Sequence, residues 1–134
     1  MSVPPLLDTH SWIWWLLRDQ RLGGEPIARL DAFPSDDRPY IADISLWEVA
    51  MLVGRRRLNL TAPLGEWLEA AGHPRTIRVV PMSPSIAAET VTLGRALRDP
   101  ADRIIVATAR VLAIPLLTHD RAILRSRLVQ RWIP

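Results

Sequence analysis

Short apolar segments alternate with longer amphipathic ones along the chain. Four of the short segments have strand character, because they are apolar or β-branched and are bounded by polar or turn-forming residues. They cover residues 3–7, 40–42, 77–80 and 114–117. Strands that are separated by helices predict right-handed crossovers and a mainly parallel sheet. The fold class predicted is therefore α/β, a three-layer α/β/α sandwich with helices on both faces of the sheet.

The segments between these strands have apolar positions three or four residues apart, as helices do. The predicted helices run from residue 12 toward the Gly23–Gly24 break and over 26–33, 44–53, 63–71, 85–97 and 101–113, with a last short one opening at 119–120. Asp43 is predicted to cap the helix 44–53, and Asp99 and Pro100 supply a cap and a first turn for the next. The helix 101–113 is apolar on nearly every side, which predicts a place in the middle of the fold.

Composition indicates one globular domain over residues 1–134, since 49% of the 134 residues are hydrophobic and 23% are charged. The chain contains no cysteine, which excludes a disulfide framework, a thiolate nucleophile and a cysteine-based metal site. Its strongest apolar run covers only residues 12–17, whereas a membrane span needs roughly twenty residues. That run also lacks a basic leader and a cleavage site, so the cytoplasm is the expected location.

The charge pattern is unusual because all 17 cations are arginine, against 14 carboxylates, for a net charge of +3. Arginine binds phosphate through two parallel hydrogen bonds and stacks on bases, so the pattern is compatible with a nucleic-acid partner. A codon-usage bias explains the absence of lysine equally well. Arg55, Arg56 and Arg57 in particular either contact RNA phosphate or complement the dipole at the end of a helix.

Two aspartates follow predicted strands. Asp8 comes directly after the first strand and Asp120 shortly after the fourth. The carboxyl ends of parallel strands meet at one edge of a sheet, where α/β proteins bind their ligands. Each of these residues, taken singly, is also a typical N-cap.

Glu48 and Asp102 are predicted to face the core. Glu48 lies in the apolar stripe of its helix, and Asp102 begins a helix whose next turns are apolar. A buried carboxylate costs several kcal/mol unless it is protonated, paired or bound to a metal. A single arginine partner would satisfy Glu48 as well as a metal would. Asp99, on the same side of the helix start as Asp102, is a cap or a residue that supports a ligand.

Together these carboxylates predict an acidic crevice with no lysine to neutralise it. Oxygen-only ligands select Mg²⁺ or Mn²⁺ over zinc, and two-metal carboxylate sites hydrolyse phosphodiesters. Without metal, repulsion should raise some of the pKa values, so neutralising Asp8 is expected to preserve or raise stability. His10, His73 and His119 have no common ligand spacing. His10 and His119 flank two of the aspartates, either as substrate contacts or as exposed loop residues.

Four motifs then become recognisable in their order and spacing. They are Leu6–Leu7–Asp8–Thr9–His10, Ser45–x–Trp47–Glu48–Val49–Ala50, Asp99–Pro100–Ala101–Asp102–Arg103 and Leu117–Thr118–His119–Asp120. The set resembles the PIN-domain ribonucleases over essentially the whole chain, and is most similar to the VapC toxins of bacterial toxin–antitoxin pairs. The resemblance implies a PIN fold, Mg²⁺- or Mn²⁺-dependent RNA cleavage, a homodimer and a small, DNA-binding antitoxin partner.

The resemblance also assigns roles to residues. Asp8, Glu48, Asp102 and Asp120 match the acidic quartet of the family, which implies that they are catalytic and bind the metal. Asp99, Ser45 and Thr118 would support them. Asp43 departs from the family, because relatives frequently carry Ser or Thr there, and we expect it to act as a helix cap.

The function predicted is an endoribonuclease toxin. The alternatives are a housekeeping PIN nuclease of RNA maturation or decay and a catalytically silent module that keeps the fold. Trp12, Trp14 and Trp15 cannot all face inward from one helix, so at least one is expected on the surface, at a dimer or antitoxin contact.

Overall fold

Four short parallel strands form the centre of the computed structural model, which describes residues 3–134. They are β1 (Leu6–Leu7), β2 (Tyr40–Ala42), β3 (Arg78–Val80) and β4 (Leu116–Leu117), and they lie in the order β3-β2-β1-β4. Leu6 is paired with Tyr40 on one side and with Leu116 on the other. The inner strand β1 therefore has a hydrogen-bonded neighbour along each of its two edges. Its carboxyl end lies between those of β2 and β4.

Seven helices surround the sheet within the described residues. They are α1 (Thr9–Leu16), α2 (Gly24–Asp31), α3 (Ile44–Gly54), α4 (Leu64–Ala71), α5 (Pro84–Thr92), α6 (Pro100–Leu112) and α7 (Arg121–Ser126). Successive strand residues point to opposite faces, and Leu6 and Leu7 belong to separate apolar cores. Leu7 packs with residues of α1 to α4, and Leu6 packs with residues of α5 to α7. The predicted three-layer α/β/α sandwich is confirmed.

Several element boundaries differ from the predictions, each for a local reason. The first strand covers Leu6–Leu7 rather than residues 3–7, because Pro4 and Pro5 have no N–H to donate to a neighbour. The first helix ends at Leu16, soon followed by Arg18 at a φ of 56°. The helix predicted at 85–97 ends at Thr92, shortly before Gly94, whose φ of +70° leaves the helical region.

The prediction that the helix 101–113 lies in the middle of the fold is wrong for the last turn of α6. Ile105 and Val106 are buried, but Val111 and Leu112 are each 38% exposed. Arg110 on the outer face lies 3.5 Å from the carboxylate of Glu89 on α5. The helix is therefore buried as far as Ala109 and reaches the surface in its last turn.

The tryptophans of α1 do not provide the exposed ring that was expected. Trp12 and Trp15 are buried, whereas Trp14 is half-buried. Trp14 lines a cavity at the sheet edge rather than a free outer surface. The exposed tryptophan is Trp47 on α3, with 55% of its surface accessible. Among residues 3–134, none of the helices combines the length and hydrophobicity that crossing a bilayer requires.

Candidate active site

A cavity of about 350 Å³ opens at the carboxyl edge of the sheet. Five carboxylates line it, and three aromatic side chains lie beside them. The carboxylates are Asp8, Glu48, Asp99, Asp102 and Asp120, and the aromatic residues are His10, Trp14 and His119. The structure thus brings together the four residues predicted as the acidic quartet, which come from four separate parts of the chain. We call this cavity the acidic cleft.

Asp8 is fixed by hydrogen bonds on both of its carboxylate oxygens. It follows β1, is buried, and caps α1 by accepting the Ser11 backbone N–H at 2.9 Å through Oδ1. The Thr118 hydroxyl donates to Oδ2 at 2.5 Å from the end of β4. Asp8 therefore caps α1 and also lines the cleft. The cap also weakens the expectation that neutralising Asp8 costs no stability.

Asp99 and Asp120 are exposed caps at the rim of the acidic cleft. Asp99 accepts the backbone N–H of Asp102 at 3.0 Å, and Asp120 accepts that of Ile123 at 3.0 Å. The Asp120 N–H in turn donates to Thr118 Oγ1 at 3.0 Å. Each cap uses Oδ1, and a carboxylate has a second oxygen, so capping a helix and binding a cation are compatible for these residues.

Glu48 lies on α3, half-buried, and faces two hydroxyl groups. The Thr9 hydroxyl hydrogen-bonds to Glu48 Oε1, and Thr9 and Ser45 share a hydrogen bond of 2.9 Å behind it. Desolvation raises the pKa of Glu48 above its ordinary value, and the bond from Thr9 lowers it in part. The arginine partner considered for Glu48 is not observed, because the ion pairs within residues 3–134 involve carboxylates outside the cleft.

Asp102 has the most perturbed carboxyl group of the acidic cleft. It lies in the first turn of α6 and is half-buried. Desolvation, followed by the charges of Asp99, Asp120, Glu48 and Asp8, raises the pKa of Asp102 from 3.8 to about 7. Near neutral pH this group therefore exchanges a proton readily, and a bound cation would hold it in its charged form.

The donor atoms of the acidic cleft fit a hard divalent cation, because they are carboxylate oxygens. In their present positions no three Asp, Glu or His side chains of residues 3–134 converge closely enough to hold an ion. Burial is the largest cause of the raised pKa values of Glu48 and Asp102, and neighbouring carboxylates raise them further. Binding a metal ion therefore requires that side chains turn toward it.

Asp43 does not cap α3 as predicted. It occupies the residue before the helix, but its side chain makes no bond to the first turn. Its Oδ2 instead accepts the backbone N–H of Met82 at 2.9 Å. The side chain connects the segment after β3 to the start of α3, outside the acidic cleft.

Arg55, Arg56 and Arg57 are exposed at the end of α3. Arg55 lines a second, more apolar cavity with Trp47 and Met51.

The role of Trp14 as part of the cleft wall was missed by the sequence analysis. The signal available was its spacing from His10, since residues four apart share one face of a helix. The two rings lie 6.0 Å apart, and Trp14 lies 5.6 Å from His119.

Comparison with known proteins gives consistent results. The family model for the PIN domain matches residues 6–127. The chain is 38% identical over 124 residues to Ribonuclease VapC22 of Mycobacterium tuberculosis (strain ATCC 25618 / H37Rv), covering 91% of each protein.

Solved structures with the same fold include FitAB bound to an IR36 DNA fragment, with a TM-score of 0.67 and 25% identity over 95% of this chain and 92% of that one. FitAcB from Neisseria gonorrhoeae gives a TM-score of 0.67 with 24% identity over 96% of both chains. A toxin–antitoxin complex from Klebsiella pneumoniae gives 0.58 with 24% identity over 87% and 86%.

Proposed function

Since this chain belongs to the PIN-domain family and is a VapC-like ribonuclease of the toxin–antitoxin type, we propose that the acidic cleft binds Mg²⁺, with Mn²⁺ as a substitute, and cleaves RNA there. PIN nucleases are metal-dependent enzymes. The observation that carries the proposal is that Asp8, Glu48, Asp102 and Asp120 line one cavity. Oxygen-only donors favour these two ions over zinc.

Asp8 and Asp102 are the principal ligands in this proposal, and Glu48 and Asp120 complete the site directly or through water. The bound metal supplies a Lewis acid for hydrolysis of the phosphodiester. Thr118 holds Asp8 from behind through its hydroxyl. Thr9, backed by Ser45, does the same for Glu48. These hydroxyl groups orient the carboxylates and remain outside the reaction itself.

The proposed partners are an RNA substrate, a small antitoxin and a second copy of this chain, in the cytoplasm. The support for the antitoxin is that the structural neighbours include a toxin–antitoxin complex and a FitAB complex on DNA. The support for RNA is the relationship to Ribonuclease VapC22. The charge pattern of 17 arginines with no lysine agrees with a nucleic-acid partner.

The direct test is cleavage by the purified protein. Total RNA should be cut at discrete sites in Mg²⁺ or Mn²⁺ and should remain intact when excess EDTA is added. Asp102→Ala should lose the activity while keeping its circular dichroism spectrum. Asp36→Asn is the matched control, because Asp36 is an exposed carboxylate outside the cleft. Undiminished cleavage in EDTA would refute the proposal.

A growth experiment separates a toxin from a housekeeping nuclease. Induced expression in bacteria should arrest growth, and co-expression of the cognate antitoxin, sought as a small reading frame beside the gene, should restore it. Asp102→Ala should be harmless at the same protein level. Growth arrest by folded Asp102→Ala would show that the harm is not nucleolytic, and unaffected growth with the active enzyme would favour the housekeeping role.

A further inference from the structure

One wall of the acidic cleft is aromatic. His10 and Trp14 lie on the same face of α1, and His119 comes from the connection between β4 and α7. The Trp14 ring lies 6.0 Å from that of His10 and 5.6 Å from that of His119, edge-on to the latter. Both imidazole rings are exposed, whereas Trp14 is half-buried. The wall thus presents ring surface to solvent inside the cavity that the carboxylates line.

An ion pair between Arg21 and Asp19 packs against Trp14. The guanidinium of Arg21 lies over the Trp14 ring at 5.1 Å. Asp19 holds that guanidinium through Nε at 3.0 Å and Nη2 at 2.7 Å. The hydrogen bonds from Arg21 lower the pKa of Asp19 to about 2. The guanidinium that Asp19 holds therefore packs against the Trp14 ring.

Apart from this aromatic wall, the lining of the cleft has little that would attract RNA. Within residues 3–134 the lining contains five carboxylates and no arginine. Inside the cleft, phosphate groups are therefore repelled by the lining and attracted where a cation is bound. Stacking of a base on an aromatic ring needs no charge, and it is the main way in which proteins hold unpaired RNA bases.

Other aromatic pairs in the molecule differ from this wall. Trp12 and Trp67 are 5.8 Å apart and belong to the apolar core, so their contact is part of packing. The His10–Trp14–His119 group instead lies at the boundary between core and cavity, next to the candidate catalytic residues. Packing alone does not require two exposed imidazole rings at that place.

We propose that His10, Trp14 and His119 form a nucleobase subsite, on which the base next to the cleaved phosphate stacks. This inference rests on the proposed function and adds to it a determinant of substrate choice. A base can reach this wall only when it is unpaired, so the subsite selects loops and single strands over duplex RNA.

The test compares a nucleotide with its baseless counterpart, adenosine 5′-monophosphate and ribose 5-phosphate. Neither contains a phosphodiester, so both can be titrated by calorimetry in Mg²⁺ without cleavage. We expect the wild type to bind the nucleotide about 10-fold more tightly, since stacking on one ring favours binding by about 5- to 150-fold. His119→Ala and Trp14→Ala should remove most of this difference and leave ribose 5-phosphate unaffected.

Two further variants make the test specific. Trp14→Phe keeps a ring and should retain most of the preference for the nucleotide. Trp47→Ala is the matched control, because Trp47 is an exposed tryptophan that lines the neighbouring cavity and not the acidic cleft. Trp47→Ala should bind both ligands as the wild type does. His119 is exposed, so His119→Ala provides a folded variant even where Trp14→Ala does not fold.

Two results would overturn the subsite. One is equal binding of the two ligands by the wild type, and the other is loss of the preference in Trp47→Ala but not in His119→Ala. Its failure is distinguishable from failure of the proposed function. An active nuclease without a preference for the nucleotide contradicts the subsite alone. A protein that prefers the nucleotide but cuts no RNA contradicts the proposed nuclease activity alone.

Discussion

Two regions of the acidic cleft hold their carboxylates in opposite ways. At the junction of β1 and α1, both oxygens of Asp8 accept hydrogen bonds, from Ser11 and Thr118. At the start of α6, Asp102 is half-buried, and desolvation, followed by the charges of its neighbours, raises its pKa to about 7. The first region lies where two adjacent strands end, with donors from the first turn of α1 and from the Thr118 side chain. The second lies at a helix start among like charges.

The difference separates two requirements of a metal site. Hydrogen bonds to Asp8 fix the proposed ligand before an ion arrives, which would reduce the cost of ordering it. Desolvation and repulsion at Asp102 make the empty cleft unfavourable, so an ion that enters it relieves a charge imbalance. The same cavity thus contains one carboxylate that stabilises the fold and one that opposes it.

The largest expected effect is one that both regions share. Asp8→Asn and Asp102→Asn should each lower metal-dependent RNA cleavage by at least about 100-fold, because metal catalysis supplies several kcal/mol and each 1.36 kcal/mol is tenfold in rate. Single-turnover cleavage of a labelled RNA measures this, with Asp36→Asn as the control. If either folded variant cleaved as fast as the wild type, that carboxylate would not be a ligand.

The second prediction concerns the pH dependence of stability in EDTA. A carboxyl group whose folded pKa is raised opposes folding once the pH exceeds its unfolded pKa. The free energy of unfolding should therefore fall as the pH rises from about 4 to about 7. Asp102→Asn should remove much of this slope.

The size of this effect follows from the pKa of Asp102. A pKa change from 3.8 to about 7 would correspond to about 4 kcal/mol in the free energy of unfolding if the site were fully shielded from solvent. Screening by solvent at a half-buried group reduces the expected gain of Asp102→Asn to about 1–2 kcal/mol at neutral pH. Urea titrations at several pH values measure it, and a variant less stable than the wild type at pH 7 would contradict the interpretation.

The third prediction tests the hydroxyl group behind Asp8. Thr118→Val keeps the shape of the side chain and removes the bonds to Asp8 Oδ2 and from the Asp120 N–H. The metal concentration that gives half-maximal cleavage should rise about 10-fold, as is typical when a group that orients a ligand is lost. The exposed Thr61 offers a control, Thr61→Val. An unchanged metal requirement would show that Thr118 does not orient Asp8.

The smallest expected effect has the opposite sign to that of Asp102. Asp8→Ala removes the cap of α1, so in EDTA it should lower the free energy of unfolding by about 1 kcal/mol. Thermal unfolding should show a decrease of a few degrees for Asp8→Ala and an increase for Asp102→Asn. Equal shifts in one direction would remove the distinction between the two regions.

The strands and the convergence of the carboxylates were predictable because they depend on local pattern and on one rule of parallel sheets. Residues 40–42 were predicted as a strand with the observed bounds, since a polar turn precedes them and Asp43 follows. The convergence of Asp8 and Asp120 on one edge follows from the shared direction of β1 and β4.

The remaining features depend on register and packing, which periodicity does not contain. The bond between Thr118 and Asp8 requires that Leu7 pair with Leu117 rather than with its neighbour. The bond from Met82 to Asp43 depends on the path of the segment after β3. The place of Trp14 in the cleft wall depends on how α1 is rotated against the sheet, and three tryptophans within four positions leave that rotation undetermined.

The pairing of β1 with β4 also orders events during synthesis. Leu6 and Leu7 leave the ribosome early, but their partners are Leu116 and Leu117, more than a hundred residues later. The hydroxyl that holds Asp8 belongs to Thr118, and Asp120 follows it. A nascent chain that has not yet exposed β4 therefore lacks both the second neighbour of its central strand and the last carboxylate of the cleft. The growing polypeptide acquires its complete acidic cleft only after residue 120 has been translated.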